Sequence, residues 1–363
     1  MHSNIQKLIQ IYKLSQKDSH EDVDQKSIHW KKYYDKKDFE SEANLVNFRN
    51  NQLLSRGLDD AANMQDELSL IEQLRYFDSE YLRRSLPTKN IGNSNFSTNI
   101  LGYFFDYGIV HHLKWAEEIL KIIPPKKNIF CEIGAGFGSL SRIILNNHDA
   151  KYIIIDLPEA NLQASFYLKE FFPNKKFYLY DNYLEDSTLK NLDNHDIFIL
   201  PPWCKFEKSI KIDFFINTRS MMEMNKEIIK RYFNLIESHI SVNGFFLNIN
   251  RYEKSTVGEK ILLHEYPYDN NWDVIISKPS YLQAGIHFLL TQRKFENLAR
   301  NIGDELNKIK IIYMNFPKKK YLILMSLKSN IIKTIYKIIK IFLLFTLKKK
   351  KIKKIAKILN GMI

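Results

Sequence analysis

From Asn128 onward the chain switches repeatedly between two rhythms. Short continuous apolar runs alternate with stretches in which apolar residues recur at helical spacing. The runs predict strands at 128–133, 151–156, 196–200, 212–217 and 244–250, and the spaced stretches predict helices near 139–147, 159–172 and 222–240. Strand and helix in alternation build a parallel α/β sheet with crossover helices. Residues 176–180 compete with 196–200 for the place of third strand, and 285–292 read as a final, antiparallel strand. Upstream, residues 1–90 are polar and helical in pattern, with Ile5, Leu8, Ile9 and Tyr12 on one stripe. Residues 100–123 read as one aromatic-rich helix that Pro124 and Pro125 stop. The turn-forming cluster at 90–95 marks a boundary. The expected organisation is a helical cap over 1–95, an α/β domain over 96–295, an extension over 296–329 and a separate tail over 330–363.

The first strand ends in Glu132-Ile-Gly-Ala-Gly-Phe-Gly138 and leads directly into a helix. Gly134, Gly136 and Gly138 allow a tight turn close to a ligand, and the helix that follows aims its first N–H groups at the same spot. A dinucleotide motif needs G-x-G-x-x-G, and here the third glycine comes one residue early. Glu132 suits a cationic ligand group better than a pyrophosphate. The next strand ends in Asp156, about 20 residues on, where an acid can accept both hydroxyls of a ribose. Two acids and a glycine turn fit S-adenosylmethionine, whose amino acid end is cationic and whose nucleoside carries that ribose. Trp203, after Pro201-Pro202, is placed to cover a purine; the plainer reading is a packed ring on a rigid loop.

Charge enters only once it is located. The chain carries +13, but residues 306–363 hold 16 Lys and no acid, which leaves −3 on residues 1–305. A slightly acidic body is a poor nucleic-acid binder, and no nucleic acid is expected. The tail sets Ile331, Ile335, Ile338, Phe342 and Phe345 at helical spacing among lysines. Its uncharged apolar run is far below the roughly 20 residues of a spanning helix, so the expectation is an amphipathic helix on an anionic membrane surface. A partner-docking helix and RNA contact are the competing readings. Cys131 and Cys204 have no disulfide or metal spacing, and the first residues lack the apolar core of a secretory signal, which points to the cytoplasm with peripheral attachment to the inner membrane.

Ligands of open α/β sheets lie beyond the carboxyl ends of the strands. The fourth strand delivers Asn217, Ser220 and Glu223 there, and the fifth delivers Arg251 and Tyr252. Their alternative is a helix cap and a solvated strand exit. Later loops add His264 and His287; no spacing is diagnostic of a metal, so a divalent ion is open but unsupported. His111-His112 is either a base or a pair packed on an aromatic helix.

The segments Glu132–Gly138, Ile155-Asp-Leu-Pro-Glu159, Asn217–Met224, Asn248-Ile-Asn-Arg-Tyr252 and Tyr266-Pro-Tyr-Asp269 resemble, in this order, a family of bacterial sugar O-methyltransferases. Asn50–Asp60 and Ile91-Gly92-Asn93 are similar to its leading segment, so the resemblance covers about residues 45–292. It implies a seven-stranded, Rossmann-like class I methyltransferase sheet, S-adenosylmethionine as methyl donor, and a sugar, nucleotide-sugar or glycan hydroxyl as acceptor, in surface glycan synthesis. It also places Leu157 beside the cofactor and Asp269 on the acceptor side. The expected step is an in-line displacement with a base on the hydroxyl: Glu223 first, His264 or His287 second, a metal third. Asn217, Ser220, Arg251 and Tyr252 would orient the acceptor. The rivals are a methyltransferase for a lipid or another small hydroxyl, and a noncatalytic membrane-associated adaptor with the same fold.

Overall fold

The computed structural model describes residues 2–19, 38–50, 74–95, 97–255, 257–280 and 283–315, together with Trp30 and Tyr34. The tail at 330–363 and the segment Ser55–Asp60 lie outside the described residues, and with them the expectations attached to them.

The N-terminal portion is helical where described: α1 (His2–Lys17), α2 (Glu42–Val46) and α3 (Ser79–Ser85). The single helix expected over 100–123 is instead a hairpin followed by a shorter helix. Strands β1 (Thr98–Ile100) and β2 (Tyr103–Phe105) pair around Leu101-Gly102, both at positive φ, and α4 (Tyr107–Leu120) starts only after them. Asp106 caps that helix by accepting the Ile109 N–H, a start signal that was present in the sequence.

The winding then begins with β3 (Asn128–Ile133), α5 (Ser139–Asn147), β4 (Ala150–Ile155), α6 (Pro158–Phe171), β5 (Phe177–Tyr178), α7 (Tyr180–Asp186) and β6 (Ile197–Leu200). It continues with β7 (Ile212–Thr218), α8 (Lys226–His239), β8 (Ile240–Arg251), the short β9 (Glu253–Lys254) and β10 (Ile261–Leu262), β11 (Trp272–Pro279), β12 (Ile286–Arg293) and α9 (Ile302–Asn315). Among the described residues, the central sheet has eight strands in the order β11-β12-β8-β7-β3-β4-β6-β5. β12 runs antiparallel between β8 and β11, and the strands from β8 to β5 are mutually parallel. This is a doubly wound, Rossmann-like sheet. Both segments that competed for third place are strands: β6 pairs with β4, and β5 adds an eighth strand outside it.

Helices on both faces explain why β3, β4, β6 and β7 read as nearly unbroken apolar runs. Phe130 stacks between Tyr152 and Phe214 at 5.7 and 5.5 Å, which joins three neighbouring strands through one aromatic layer. Where the extension at 296–329 is described it packs on the sheet domain: Ile302 and Ile309 of α9 are buried, and Asn301 bridges to Asp273 of β11. Among the described residues no helix is long and apolar enough to cross a membrane.

The N-terminal helices lie on the first two crossover helices. Gln16 donates to Glu159 at 2.7 Å, and Arg142 of α5, fully buried, donates to the Ser85 carbonyl at 2.6 Å. A second tie is ionic: Arg49 meets Asp106 at 2.6 Å, with only 5% and 9% of the two side chains exposed. Burial alone would raise the Asp106 carboxyl, but the Arg49 guanidinium outweighs it and holds the group below its ordinary value. Removing one partner of such a pair leaves the other charged and buried. Asp106→Asn keeps a competent helix cap yet removes the charge, and should cost about 3 kcal/mol in urea unfolding. Loss of less than about 1 kcal/mol would show that the pair is not a buried linchpin.

Candidate active site

The strand order reverses between β3 and β7, and the crevice at their carboxyl ends is where such sheets bind ligands. The glycine turn lies there. Gly134 has φ +78°, and a Cβ at that position would fall 1.9 Å from Ser220 Oγ, so the turn after β7 rests directly on the turn after β3. Gly136, at φ +59°, would point a Cβ into open space. It therefore leaves the turn's outer side clear for a ligand. Gly138 completes the turn as the left-handed N-cap of α5.

Asp156, one residue past β4, reaches across to this turn. Its Oδ2 accepts the Gly136 N–H at 2.8 Å, and its Oδ1 accepts the N–H of Leu157, the N-cap of α6, at 2.7 Å. Burial pushes this half-buried carboxyl up to about 7, against the pull of those two N–H groups. The glycine turn and the second acid thus form one unit, as the spacing implied.

Glu132 is a correction. Its side chain is 1% exposed, and its Oε2 accepts from Ser141 Oγ at 2.7 Å and Tyr152 Oη at 2.8 Å. The carboxyl is directed into the core beneath the turn and not toward a ligand's ammonium. Burial, opposed by those two hydrogen bonds, raises it to about 7. Its visible work is to tie β3 to α5 and β4.

Trp203 lies past the end of β6 and donates from Nε1 to Tyr180 Oη at 3.2 Å; that hydroxyl donates to Asp18 at 3.1 Å. The half-buried indole is therefore anchored at the same edge of the sheet as Asp156, with its orientation set from the end of α1.

On the acceptor side the structure divides the expected residues. Asn217 is fully buried: Nδ2 donates to the Ile133 carbonyl at 2.8 Å, while Oδ1 accepts from the Met221 N–H at 3.1 Å and from Asn250 at 2.8 Å. It braces the edge and does not reach an acceptor. Tyr252 and His287 are buried as well and face each other, with the hydroxyl 3.0 Å from Nδ1, while His287 Nε2 lies 2.8 Å from Ser277 Oγ. Burial lowers this imidazole to about 4, and both ring nitrogens are engaged, so His287 is not placed as a base in the crevice. Asp269 grips Arg293 with both oxygens. Because Gln292 pairs with Phe245 near the start of β8, that pair sits at the opposite edge of the sheet. His264 packs on Tyr313 of α9 with ring centroids 5.8 Å apart.

Four polar residues remain at or beside the edge. Ser220 seats on Gly134. Arg219 adopts a left-handed φ of +62° and donates its N–H to the Ile249 carbonyl. Arg251 ends β8, and its buried Nε has no hydrogen-bond partner among the described residues. Glu223 follows in a 3₁₀ turn, paired with Lys254 at 3.2 Å, the two side chains 14% and 20% exposed.

Sequence reasoning undervalued His112. Its Nδ1 lies 3.0 Å from Oγ of Ser139, the first residue of α5. Burial, then His111, lower it to about 3 despite Asp106, so the ring is neutral at physiological pH. The twin-histidine signal was visible, but only the packing of α4 on α5 brings it to the turn. Above the turn, Phe137 lies between Phe48 and Tyr167, at 5.5 and 5.0 Å, with the Arg49 guanidinium 5.2 Å from its ring. Among the described residues no group of His, Cys, Asp and Glu is arranged to hold a metal.

No protein-family model matches the chain, and no curated protein matches it. Solved structures similar to it include the pyocyanin biosynthetic protein PhzM, 12% identical over 52% of this chain and 58% of that one, TM-score 0.31. An O-methyltransferase family 2 protein from Planctomyces limnophilus, crystallised with apigenin, is 12% identical over 50% and 58%, TM-score 0.34. The glycopeptide N-methyltransferase MtfA is 12% identical over 49% and 88%, TM-score 0.34. The chain spans a little over half the length of the first two. At this level of likeness, activity has to be read from the site's own geometry.

The raised Glu132 carboxyl has a measurable sign. It holds its proton up to about 7 in the folded chain but only to its ordinary 4.5 when unfolded. The folded state binds more protons between those values, so stability falls as pH rises from about 4.5 to about 7, by on the order of 3 kcal/mol. Glu132→Gln should reduce that slope in urea melts taken across the range, leaving the part of the same sign that the raised Asp156 carboxyl contributes. An unchanged slope would locate the buried proton elsewhere.

Proposed function

We propose that the chain is an S-adenosylmethionine-dependent O-methyltransferase acting on a sugar hydroxyl, in a nucleotide-sugar or a growing glycan. One observation carries this reading: a three-glycine turn at the switch point, open at Gly136, whose N–H is held by a carboxylate from the next strand. A ribose bound there would meet Asp156, which can accept two hydroxyls at once. The open side of Gly136, the ends of α5 and α6, and Trp203 supply a backbone-lined slot closed by an aromatic ring. Bound S-adenosylmethionine supplies an electrophilic methyl group on a sulfonium.

The chain's own residues have to orient an acceptor hydroxyl and take its proton. Arg251 and Ser220 offer donors at the same edge, and the resemblance of the Asn217–Met224 and Asn248–Tyr252 segments to sugar O-methyltransferases supports a saccharide acceptor. Glu223 is the proposed base, with Lys254 holding its carboxylate in place. The Lys-rich tail is proposed to keep the enzyme at an anionic membrane surface on the cytoplasmic side, where lipid-linked glycans are built.

Calorimetry with S-adenosylmethionine should register binding, and Asp156→Ala should weaken it about tenfold to a hundredfold, the worth of hydrogen bonds to a charged acceptor. No uptake by the unaltered protein would end the methyltransferase reading.

Glu223→Gln should lower kcat by about 10² to 10⁴ with cofactor affinity unchanged, the usual contribution of a general base. If that variant keeps its rate and His112→Ala loses it, the proton goes to the imidazole and the assignment of Glu223 fails.

A further inference from the structure

A cavity of about 410 Å³ lies away from the glycine turn, between α1 and the last turns of α6, and shares no residue with the site above. Phe166, Phe172 and Phe177 form its apolar walls, and Lys89, Lys169 and Lys175 border it, with Glu170 as the acid among its lining residues. Its volume is in the range that small-molecule sites occupy, roughly 300–1,000 Å³.

Part of this charge has an ordinary explanation. Lys89 Nζ donates to the Glu170 carbonyl at 3.0 Å, the usual service of a cation at a helix C-terminus. Lys169 stands in the last turn of the same helix and shares that setting, whereas Lys175 lies beyond the helix end. Among the described residues neither has an ion-pair partner, and Lys169 Nζ instead stands 5.4 Å from the centre of the Phe177 ring. Lys7, one turn of α1 on from the lining residue Asn4 and next to Leu8, adds a further ammonium, itself paired with Asp181 at 3.3 Å. Burial and then the Lys7 charge hold the Lys169 ammonium below its ordinary range. Like charges gathered around a concave aromatic surface are relieved by an anion, and lysine binds phosphate as a point charge.

The geometry points to a second ligand site here, for a phosphorylated small molecule with a planar body, of the nucleotide class: the rings take the planar part and Lys169 and Lys175 take the phosphates. Phe172 and Phe177, both half-buried, offer apolar contact to the planar part, and the cationic border offers two or more charge-assisted contacts. Phe166 also meets Phe48 edge-on at 6.5 Å, so the site adjoins the segment over the glycine turn without entering it.

The test uses the full-length chain and N-methylanthraniloyl-ADP followed by fluorescence anisotropy. Saturable binding is expected, weakened by added salt and retained in excess S-adenosylhomocysteine. The double variant Lys169→Glu, Lys175→Glu should weaken it by about tenfold or more, with S-adenosylmethionine affinity by calorimetry unchanged within about twofold. Adenosine should compete about tenfold less well than ADP. Absence of binding, displacement by S-adenosylhomocysteine, equal competition by adenosine and ADP, or indifference to the double variant would each overturn the assignment. None of these readouts depends on methyl transfer.

Discussion

One buried amide holds the working edge of the sheet together. Asn217 joins the last carbonyl of β3, the turn that follows β7 and the last turn-facing amide of β8, through Nδ2 on one side and Oδ1 on the other. Asn250 passes the connection to the Met222 N–H and to Asn248, which reaches Tyr268. A buried polar group is costly unless its hydrogen bonds are made, and the same low dielectric strengthens those that are. The network therefore permits one relative placement of three strand ends. That placement is what seats Ser220 on Gly134 and leaves the outer side of the glycine turn clear. The chemistry proposed for the crevice depends on this geometry more than on any single reactive side chain.

Much of the fold was legible because the physics behind it is local. The apolar runs of β3, β4, β6 and β7 reflect burial on both faces, and the glycines and Asp156 reflect a turn and a strand end that neighbouring residues dictate. Failures arose where local pattern and long-range contact disagree. Residues 100–105 have the aromatic content of the helix that follows, and only the Leu101-Gly102 turn separates them from it. Asn217 and Asp269 are polar residues near strand ends, which sequence reasoning reads as exposed. In the fold, one is wholly enclosed by hydrogen bonds and the other is carried to the far edge by its pairing with Arg293.

Glu132 illustrates the same division in a single residue. Its position before the glycine turn marks the turn correctly, yet the direction of its side chain depends on Tyr152 and Ser141. Those partners lie on different elements, and nothing in the spacing of the motif announces them. His112 is the converse case, a residue whose local setting suggested packing and whose tertiary setting brings it to the head of α5.

The sandwich around Phe137 has a consequence for how the chain can be divided. The ring at the tip of the glycine loop is covered on one side by Phe48 and Arg49, which precede the sheet by some eighty residues, and Arg49 is bound in turn to the head of α4. An α/β module cut out at residue 96 would keep every strand and lose the cover over its own glycine turn. The segment that carries Phe48 and Arg49 is thus part of the glycine turn's own surroundings, although it lies far upstream of the first sheet strand.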